Sequence, residues 1–206
     1  LVSVDEPMLT LRNQGIILGE DSEKMSKSRG NVIAPDNLVN TYGSDTVRVY
    51  LMFGWRWEMG GPWDSRGIEG SYRFLNRVWE LLLFPVEKAG EPTSELMETL
   101  QRKLHQTIKR ATQDLKDFAF NTYIASLMEF TNLLVKVKPN LWATDCWREA
   151  TRIFTLLLAP AAPHLAEEIW FQLGEDYSVH DQPWPQWDEE LVLERQVEIV
   201  IQINGK

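Results

Sequence analysis

The stretch that decides the fold is LMETLQRKLHQTIKRATQDLKDF, residues 96–118. Its apolar side chains recur three or four residues apart, at Leu96, Leu100, Leu104, Ile108, Ala111, Leu115 and Phe118. Side chains at this spacing share one face of an α-helix. The stretch therefore predicts a long amphipathic helix that buries one apolar stripe against partner elements.

Four further segments repeat this helical spacing, which makes five amphipathic helices in succession. Their apolar stripes span residues 68–82, 124–135, 150–158 and 165–173. Asn121 is the expected N-cap of the second of these, and Pro139 marks its expected end because proline cannot donate a backbone hydrogen bond. Pro163 and Gly174 are expected to start and end the last. Helices joined by short polar connections predict an antiparallel bundle.

The first part of the chain has shorter and more mixed patterns than the bundle. Residues 9–18 predict a short helix or turn that leads into a strand, and residues 37–42 predict a short helix. A second helix follows, for which Ser44 or Asp45 is the expected N-cap. Residues 19–30 are polar, rich in serine and lysine, and bounded by glycine, which predicts a mobile loop.

We therefore predict a mainly α-helical chain with three parts. Residues 1–63 are expected to form a short α/β region, residues 64–175 the helix bundle, and residues 176–206 a linker and the start of a small β-containing extension. The extension is expected because residues 197–203, VEIVIQI, alternate in polarity and precede Asn-Gly-Lys, a hairpin turn signal. Since no second strand follows and the sequence opens without methionine, we expect both ends to be boundaries within a larger protein.

The composition excludes several classes of protein. A hydrophobic fraction of 44% and a charged fraction of 25% are those of an ordinary globular protein and not of a disordered chain. No apolar run approaches the roughly 20 residues that cross a membrane. The single cysteine, Cys146, has no partner for an internal disulfide, which fits a reducing compartment such as the cytoplasm. The net charge of −9 excludes indiscriminate nucleic-acid binding, so any such contact must be a local patch.

One such patch is predicted on the long helix. Arg102, Lys109 and Lys116 share one helical face, with Gln106 and Gln113 between them. The stretch they span holds a single acidic residue, so this face is positive within an otherwise acidic chain. Contact with a phosphate backbone and a simply solvated helix surface both fit this pattern.

Three other features have structural interpretations. Several of the nine tryptophans lie beside Pro, Asp or Gly in loops, where we favour pinning of the loop over stacking on nucleic-acid bases. His164 begins a helix, and we interpret it as a capping or packing residue because no second metal ligand lies one turn away. Asp45 and Arg48 are spaced to form an ion pair within one helix.

The motif that carries chemistry is KMSKS, formed by Lys24, Met25, Ser26, Lys27 and Ser28. Two lysines three residues apart on a flexible loop suit a polyphosphate, because their ammonium groups can follow the charge that develops on a leaving pyrophosphate. The serine hydroxyls add hydrogen-bond donors, and a mobile loop allows closure only when nucleotide is present. From residue chemistry alone, a solvated surface loop is the alternative.

The surroundings of this motif resemble a known family. KMSKS is followed by GNV, residues 30–32, and then by YGSDTVR, residues 42–48. This arrangement resembles the second nucleotide-binding motif of class I aminoacyl-tRNA synthetases of the leucine, isoleucine, valine and methionine group.

The resemblance implies a role for each residue of the motif. In the family this loop binds ATP and stabilises the transition state of aminoacyl-adenylate formation. Lys27 is then expected to be catalytic and to contact the phosphates, with assistance from Lys24. Ser26 and Ser28 complete the implied ATP-binding stretch, in which Met25 packs the loop. The resemblance also implies ATP and Mg²⁺ as cofactors of the complete enzyme, without a metal site among these residues.

Three later segments resemble the leucyl branch of this group more closely than its relatives. They are GIEGSYRFLNRVW (residues 67–79), FNT (residues 120–122) and LMEF (residues 127–130). The bundle then corresponds to the anticodon-binding domain, which makes Arg102, Lys109 and Lys116 the expected tRNA contacts. The implied partners are tRNA(Leu), leucine and ATP, and the implied protein is a cytoplasmic monomer without membrane contact.

Two alternatives stay open beside the leucyl interpretation. One is a valyl or isoleucyl synthetase, and the other is a catalytically inactive tRNA-binding module. The HIGH-type first motif of the family does not occur among these residues, so we expect the chain alone to be inactive as a ligase.

Overall fold

The computed structural model describes Ser3, Glu6 and residues 8–193, and the fold is mainly helical, as predicted. Its elements in chain order are β1 (Ile16–Leu18), α1 (Pro35–Tyr42), α2 (Ser44–Gly54), β2 (Gly60–Pro62), α3 (Ile68–Leu83), α4 (Ser94–Lys116), α5 (Phe120–Leu141), α6 (Asp145–Leu158), α7 (Pro163–Gln172), a 3-10 turn (Val179–Asp181) and α8 (Glu189–Val192). The strand predicted at residues 197–203 lies outside the described residues. Within the described part of the chain, no helix is long and apolar enough to span a membrane.

Helices α3 to α7 form the bundle. α4 and α5 pack along each other and are joined by residues 117–119 alone, so they run in opposite directions. Arg77 of α3 contacts Asn132 of α5, and Lys138 farther along α5 contacts Phe84 just after α3, so these two helices run in the same direction. α3, α4 and α5 therefore alternate in direction, as in an antiparallel bundle. α6 packs on α4 and α5, and α7 packs on α3 and α6.

The apolar stripe of α4 is buried, as its spacing predicts. Its central members are at most 1% exposed, namely Leu100, Leu104, Ile108 and Ala111. The helix begins after Thr93, whose side-chain oxygen accepts a hydrogen bond from the backbone N–H of Leu96 at 3.3 Å. That bond satisfies one of the unpaired N–H groups of the first turn. The sequence therefore specifies both the face and the start of this helix.

Aromatic residues join α5 to α6 in the core. The hydroxyl of fully buried Tyr123 donates to the backbone carbonyl of Leu157. Burial raises the pKa of Tyr123, so the phenol stays protonated and keeps donating. Phe130 and Phe154, also fully buried, pack with their ring centroids 5.7 Å apart. These contacts hold α5 and α6 against each other at two points along their lengths.

The start of α5 differs from the prediction. Its N-cap is Ala119 and not Asn121, because the helix already begins at Phe120. Phe118 adopts a φ of 60° and turns the chain. Phe118 and Phe120 then both pack on Trp57, with centroid distances of 5.5 and 5.3 Å. Aromatic packing, and not a polar cap, decides where this helix begins.

The end of α5 also differs, since Pro139 lies inside the last turn. Proline removes the hydrogen bond to the carbonyl four residues earlier, which belongs to Val135. Val135 is exposed, so water can satisfy that carbonyl. The carbonyl of Pro139 accepts a bond from the N–H of Gly90 at 2.7 Å, which ties the α3–α4 connection to this turn.

The first unit is a small α/β layer whose helix α2 packs on α3, α5 and α7 of the bundle. β1 and β2 pair in parallel, with Ile16 opposite Gly60. Gly60 has a φ of +60°, and a Cβ there would lie 2.2 Å from the carbonyl oxygen of Ile16, so only glycine fits. Trp55 packs edge-on against Tyr50 at 5.3 Å, as expected for a tryptophan that pins a loop. The buried core of the unit consists of Val47, Tyr50, Trp63 and Ile68.

Candidate nucleotide-binding site and nucleic-acid interface

The KMSKS loop connects β1 to α1 and leaves the strand through a tight turn. The N–H of Gly19 donates to the carbonyl of Glu23 at 2.8 Å. Leu18, the last residue of β1, forms an antiparallel bridge with Lys24. The strand therefore fixes the base of the loop, and Lys24 stands directly at that base.

The five residues of the motif differ in exposure. Met25 and Ser26 are half-buried, and Met25 packs against the core of the first unit. Lys24, Lys27 and Ser28 are exposed. Neither lysine forms an ion pair within the described part of the chain. One apolar side chain thus anchors the loop while both ammonium groups point to solvent, where a polyphosphate can reach them.

The tip of the loop is a single backbone turn. The carbonyl of Ser26 accepts bonds from the N–H groups of Arg29 at 3.1 Å and Gly30 at 3.2 Å. The hydroxyl of Ser26 lies 2.8 Å from that of Ser28. Lys27 therefore stands at the apex of a turn whose backbone is already hydrogen-bonded. This limits the backbone conformations that the loop must lose on binding.

Asn31 is the residue of this site to which sequence reasoning gave no role. Its side-chain oxygen accepts a bond from the N–H of Ser26 at 2.9 Å, and its amide nitrogen donates to Asp21 at 3.0 Å. The N–H of Glu23 and, second, the amide of Asn31 lower the pKa of Asp21, so this carboxylate stays ionised and keeps accepting. Asn31 thus closes the loop across its base. Its position in GNV, directly after the motif, was the available signal.

We expect Asn31→Ala to loosen the loop without unfolding the chain. The substitution removes the acceptor of the Ser26 N–H, so this amide should exchange with solvent about 5- to 10-fold faster, as expected for the loss of one hydrogen bond. Site-resolved hydrogen exchange measures the effect, and Asn13→Ala at an exposed position is the matched control. Unchanged protection of Ser26 would show that Asn31 does not hold the loop.

Asp45 and Arg48 join α2 to the first turn of α7 and to the turn that precedes it. The ion pair between them that their spacing predicted does not form. One carboxylate oxygen of Asp45 accepts a bond from the N–H of Leu165 at 2.7 Å, and the other lies 2.8 Å from Nδ1 of His164. Arg48 donates to the carbonyl of Pro160 at 2.8 Å. The unit that carries the loop is therefore fixed to the bundle where α6 ends and α7 begins.

These contacts correct two expectations. Neither Ser44 nor Asp45 caps α2, whose N-cap is Gly43, because the carboxylate of Asp45 is taken by the first turn of α7. The packing interpreted for His164 is not observed, because its side chain is exposed and only its Nδ1 lies beside Asp45, at 2.8 Å. The described residues contain no group of three or more His, Cys, Asp or Glu side chains that could hold a metal ion.

Residues 184–193, which we call the strap, cross back over α4. The indole N–H of Trp184 donates to Thr112 at 2.8 Å, and the backbone N–H of Asp188 donates to Nδ1 of His105 at 2.9 Å. α8 lies within the strap and packs on α4. Trp184 thus pins a connecting segment, the role favoured for tryptophans in loops.

The strap covers the middle of the predicted basic face. Nζ of Lys109 lies 2.7 Å from a carboxylate oxygen of Glu189, and this bond is the main reason that the pKa of Glu189 is lowered. Gln106 donates to the carbonyl of Val192 at 3.2 Å. Arg102 and Lys116 have no ion-pair partner among the described residues. The three predicted cations therefore do not form one open face.

Two parts of the chain match known family models. Residues 98–206 match the family model for the anticodon-binding domain of tRNA ligases. The chain belongs to this family. Residues 2–56, which contain the KMSKS loop, match the model for class I tRNA synthetases of the I, L, M and V group. The anticodon-binding domain thus follows a segment of synthetase type in one chain.

The curated relatives that resemble this chain include leucine–tRNA ligases. A leucine–tRNA ligase of Herpetosiphon aurantiacus is 54% identical over 210 residues, which cover 100% of this chain and 25% of the relative. A leucine–tRNA ligase of Rubrobacter xylanophilus is also 54% identical, over 100% of this chain and 25% of its own length. The chain thus spans about a quarter of the length of these relatives.

A solved structure extends the similarity to the fold of the anticodon-binding domain. A ternary complex of a LeuRS from Agrobacterium radiobacter K84 with tRNA and LeuAMS superposes with a TM-score of 0.78 and 32% identity. The match covers 92% of this chain and 26% of that one. The mainly helical fold predicted from the apolar stripes is therefore also that of a LeuRS segment.

Proposed function

We propose that this chain is part of a leucine–tRNA ligase, which activates leucine with ATP and transfers it to tRNA(Leu). The strongest support is the identity of 54% with leucine–tRNA ligases over the whole chain. The lysines of the KMSKS loop are exposed and have no ion-pair partner among the described residues, so they can supply the polyphosphate contacts of this reaction. The reaction serves protein synthesis, so we expect it in the cytoplasm.

In the proposed first step, the loop stabilises the leaving group. The carboxylate of leucine attacks the α-phosphorus of ATP, and the bond to pyrophosphate breaks. Negative charge then grows on the pyrophosphate, where the ammonium groups of Lys27 and Lys24 can bind it. In the second step, a hydroxyl of the terminal tRNA ribose attacks the carbonyl of leucyl-adenylate and releases AMP.

Mg²⁺ enters this proposal only together with ATP. The described residues offer no cluster of carboxylates or histidines for a resident metal ion. Mg²⁺ commonly keeps several waters and is held through substrate phosphates. The residues of this chain are therefore expected to contact the nucleotide and not the ion.

Binding of tRNA tests the leucyl assignment directly. We expect this chain to bind tRNA(Leu) at least about tenfold more tightly than tRNA(Val), a difference of about 1.4 kcal/mol. Because the chain carries a net charge of −9, binding must come from a local cationic surface and should weaken steeply with salt. Fluorescence anisotropy across a salt series measures both quantities.

The same titration separates the alternatives. Tighter binding of tRNA(Val) would favour a valyl enzyme, and equal binding of both would contradict recognition of leucine tRNA by this part of the ligase. Sedimentation of the same sample reports whether the chain is the expected monomer.

A further inference from the structure

The cationic face that the sequence of α4 predicts is partly neutralised by carboxylates. The strap neutralises Lys109 with Glu189 and shields the centre of that helix. Lys103 and Arg110 on the flank of α4 are both directed to Glu129 of α5, at 3.5 and 3.2 Å. An RNA backbone would have to displace these carboxylates before it could reach the cations.

A second cationic surface lies on α3 and α5 and is open. Arg73 and Arg77 are both exposed and lie one helical turn apart, about 5.4 Å along the axis. Arg77 donates to the side chain of Asn132 at 2.8 Å, which places α5 beside this row. Lys136, exposed one turn after Asn132, extends the row onto α5. None of these three cations is in an ion pair within the described residues.

The acidic residues near this row lie at its ends. Glu69 is one turn before Arg73, and Glu80 is three residues after Arg77. Nζ of Lys138 lies 3.4 Å from the backbone carbonyl of Glu80, so a further positive charge stands beside that acid. On α3, no acidic residue lies between Arg73 and Arg77.

A cavity of about 330 Å³ opens on the neighbouring side of α3. Aromatic rings line it, because Tyr42 at the end of α1 and Tyr72 of α3 pack edge to face with centroids 5.6 Å apart. Tyr72 is 42% exposed, and Trp79 and Asn76 complete the side formed by α3. We call this cavity the aromatic cradle. Its volume falls at the small end of the range of about 300–1,000 Å³ for small-molecule sites.

The rim of the aromatic cradle has open space beside α1. Gly43 lies on its rim, and a Cβ built there would meet no atom within 4 Å. The amide nitrogen of Asn76 donates to the carbonyl of Tyr72 within its own helix at 2.8 Å, which leaves its side-chain oxygen and second N–H for a ligand. Stacking on an aromatic ring combined with hydrogen bonds at the edge is how proteins hold an unstacked nucleobase.

The aromatic cradle and the cationic row are adjacent. Tyr72 precedes Arg73, and Asn76 precedes Arg77, so the two features lie on neighbouring faces of one helix. α1, eight residues and thus about 12 Å long, leads from the KMSKS loop to Tyr42. The aromatic cradle therefore lies at the end of α1, the helix that follows the KMSKS loop.

From these observations we propose that the α3–α5 surface is the tRNA-binding face. Arg73, Arg77 and Lys136 contact the phosphate backbone, and the aromatic cradle takes one unpaired base of the tRNA. This inference rests on the proposed function, because it names the surface through which the same chain would hold its tRNA.

The charge component is tested with two matched double variants of this chain. Arg73→Glu with Arg77→Glu should weaken binding of tRNA(Leu) at least about tenfold at 0.15 M salt and lower the salt slope by about 2. Arg102→Glu with Lys116→Glu makes the same change in net charge on α4, leaves the Lys109–Glu189 pair in place, and should change affinity less than about threefold. Circular dichroism verifies that both variants are folded.

The base component is tested at Tyr72. Tyr72→Ala should weaken tRNA(Leu) binding about fivefold or more, the range of one base-stacking contact, while Tyr72→Phe keeps the ring and should match the unsubstituted chain. A fully paired RNA duplex offers no free base, so neither variant should alter its binding. Equal losses with tRNA and with duplex would overturn the aromatic cradle as a base site.

The outcomes also separate this inference from the proposed function. Binding of tRNA(Leu) that depends on Arg102 and Lys116 but not on Arg73 and Arg77 would overturn the α3–α5 surface and leave the ligase assignment intact. No binding or no preference for tRNA(Leu) by the unsubstituted chain would overturn both.

Discussion

Replacing Lys27 by alanine in the proposed leucine–tRNA ligase is expected to slow leucine-dependent ATP–pyrophosphate exchange about 10²–10³-fold. Lys27 stands exposed at the apex of a hydrogen-bonded turn and has no ion-pair partner in the described residues. Its ammonium group would meet the pyrophosphate as charge develops, so its loss should lower kcat and affect the binding of leucine far less.

Lys88→Ala is the matched control for this prediction. Lys88 is also an exposed lysine, in the connection between α3 and α4, and it makes no hydrogen bond within the described residues. Its substitution should leave exchange unchanged. Equal activity of the two variants would remove the KMSKS loop from the proposed chemistry, whereas a loss of tRNA binding in Lys27→Ala would indicate that the loop acts on RNA instead.

Phe130→Ala is expected to destabilise this chain by about 3–5 kcal/mol, the largest effect on stability that we predict. Phe130 is fully buried in α5 and packs against Phe154 of α6. Alanine would leave a cavity at the centre of the bundle and remove the aromatic pair. Urea unfolding followed by circular dichroism measures the change in the free energy of unfolding.

The control for the core prediction is Phe171→Ala on α7. Phe171 is 72% exposed, so its removal should change the free energy of unfolding by no more than about 0.5 kcal/mol. A similar loss from both substitutions would mean that the bundle does not depend on the α5–α6 contact in the way that the packing indicates.

The helices could be predicted from the sequence because their signal is local. The spacing of Leu100, Leu104 and Ile108 alone places them on one face of a helix. Burial of that face follows from their apolar side chains. The boundaries of α5 depend instead on distant partners. Trp57 positions Phe118 and Phe120, and no local spacing in α5 encodes that contact.

The candidate site divides in the same way. The KMSKS motif is contiguous, so its residues and their chemistry could be read directly from the chain. The state of Lys109 could not, because its partner Glu189 lies in a strap that returns to α4 from far along the sequence. The aromatic cradle was equally hidden, since Tyr42 and Tyr72 meet only after α1 and α3 have packed.

The anchoring of α2 by Asp45 and Arg48 bears on which lengths of tRNA could reach both the bundle and the loop. Because Leu165 and Pro160 bind these side chains, α2 cannot shift relative to the turn between α6 and α7 without breaking both contacts. The separation between α2 and the bundle is then set by the protein before any RNA arrives. A tRNA held on the bundle would bring its end to the loop only if its stems had the matching length. The fixed contact between α2 and the start of α7 would then select RNA by size.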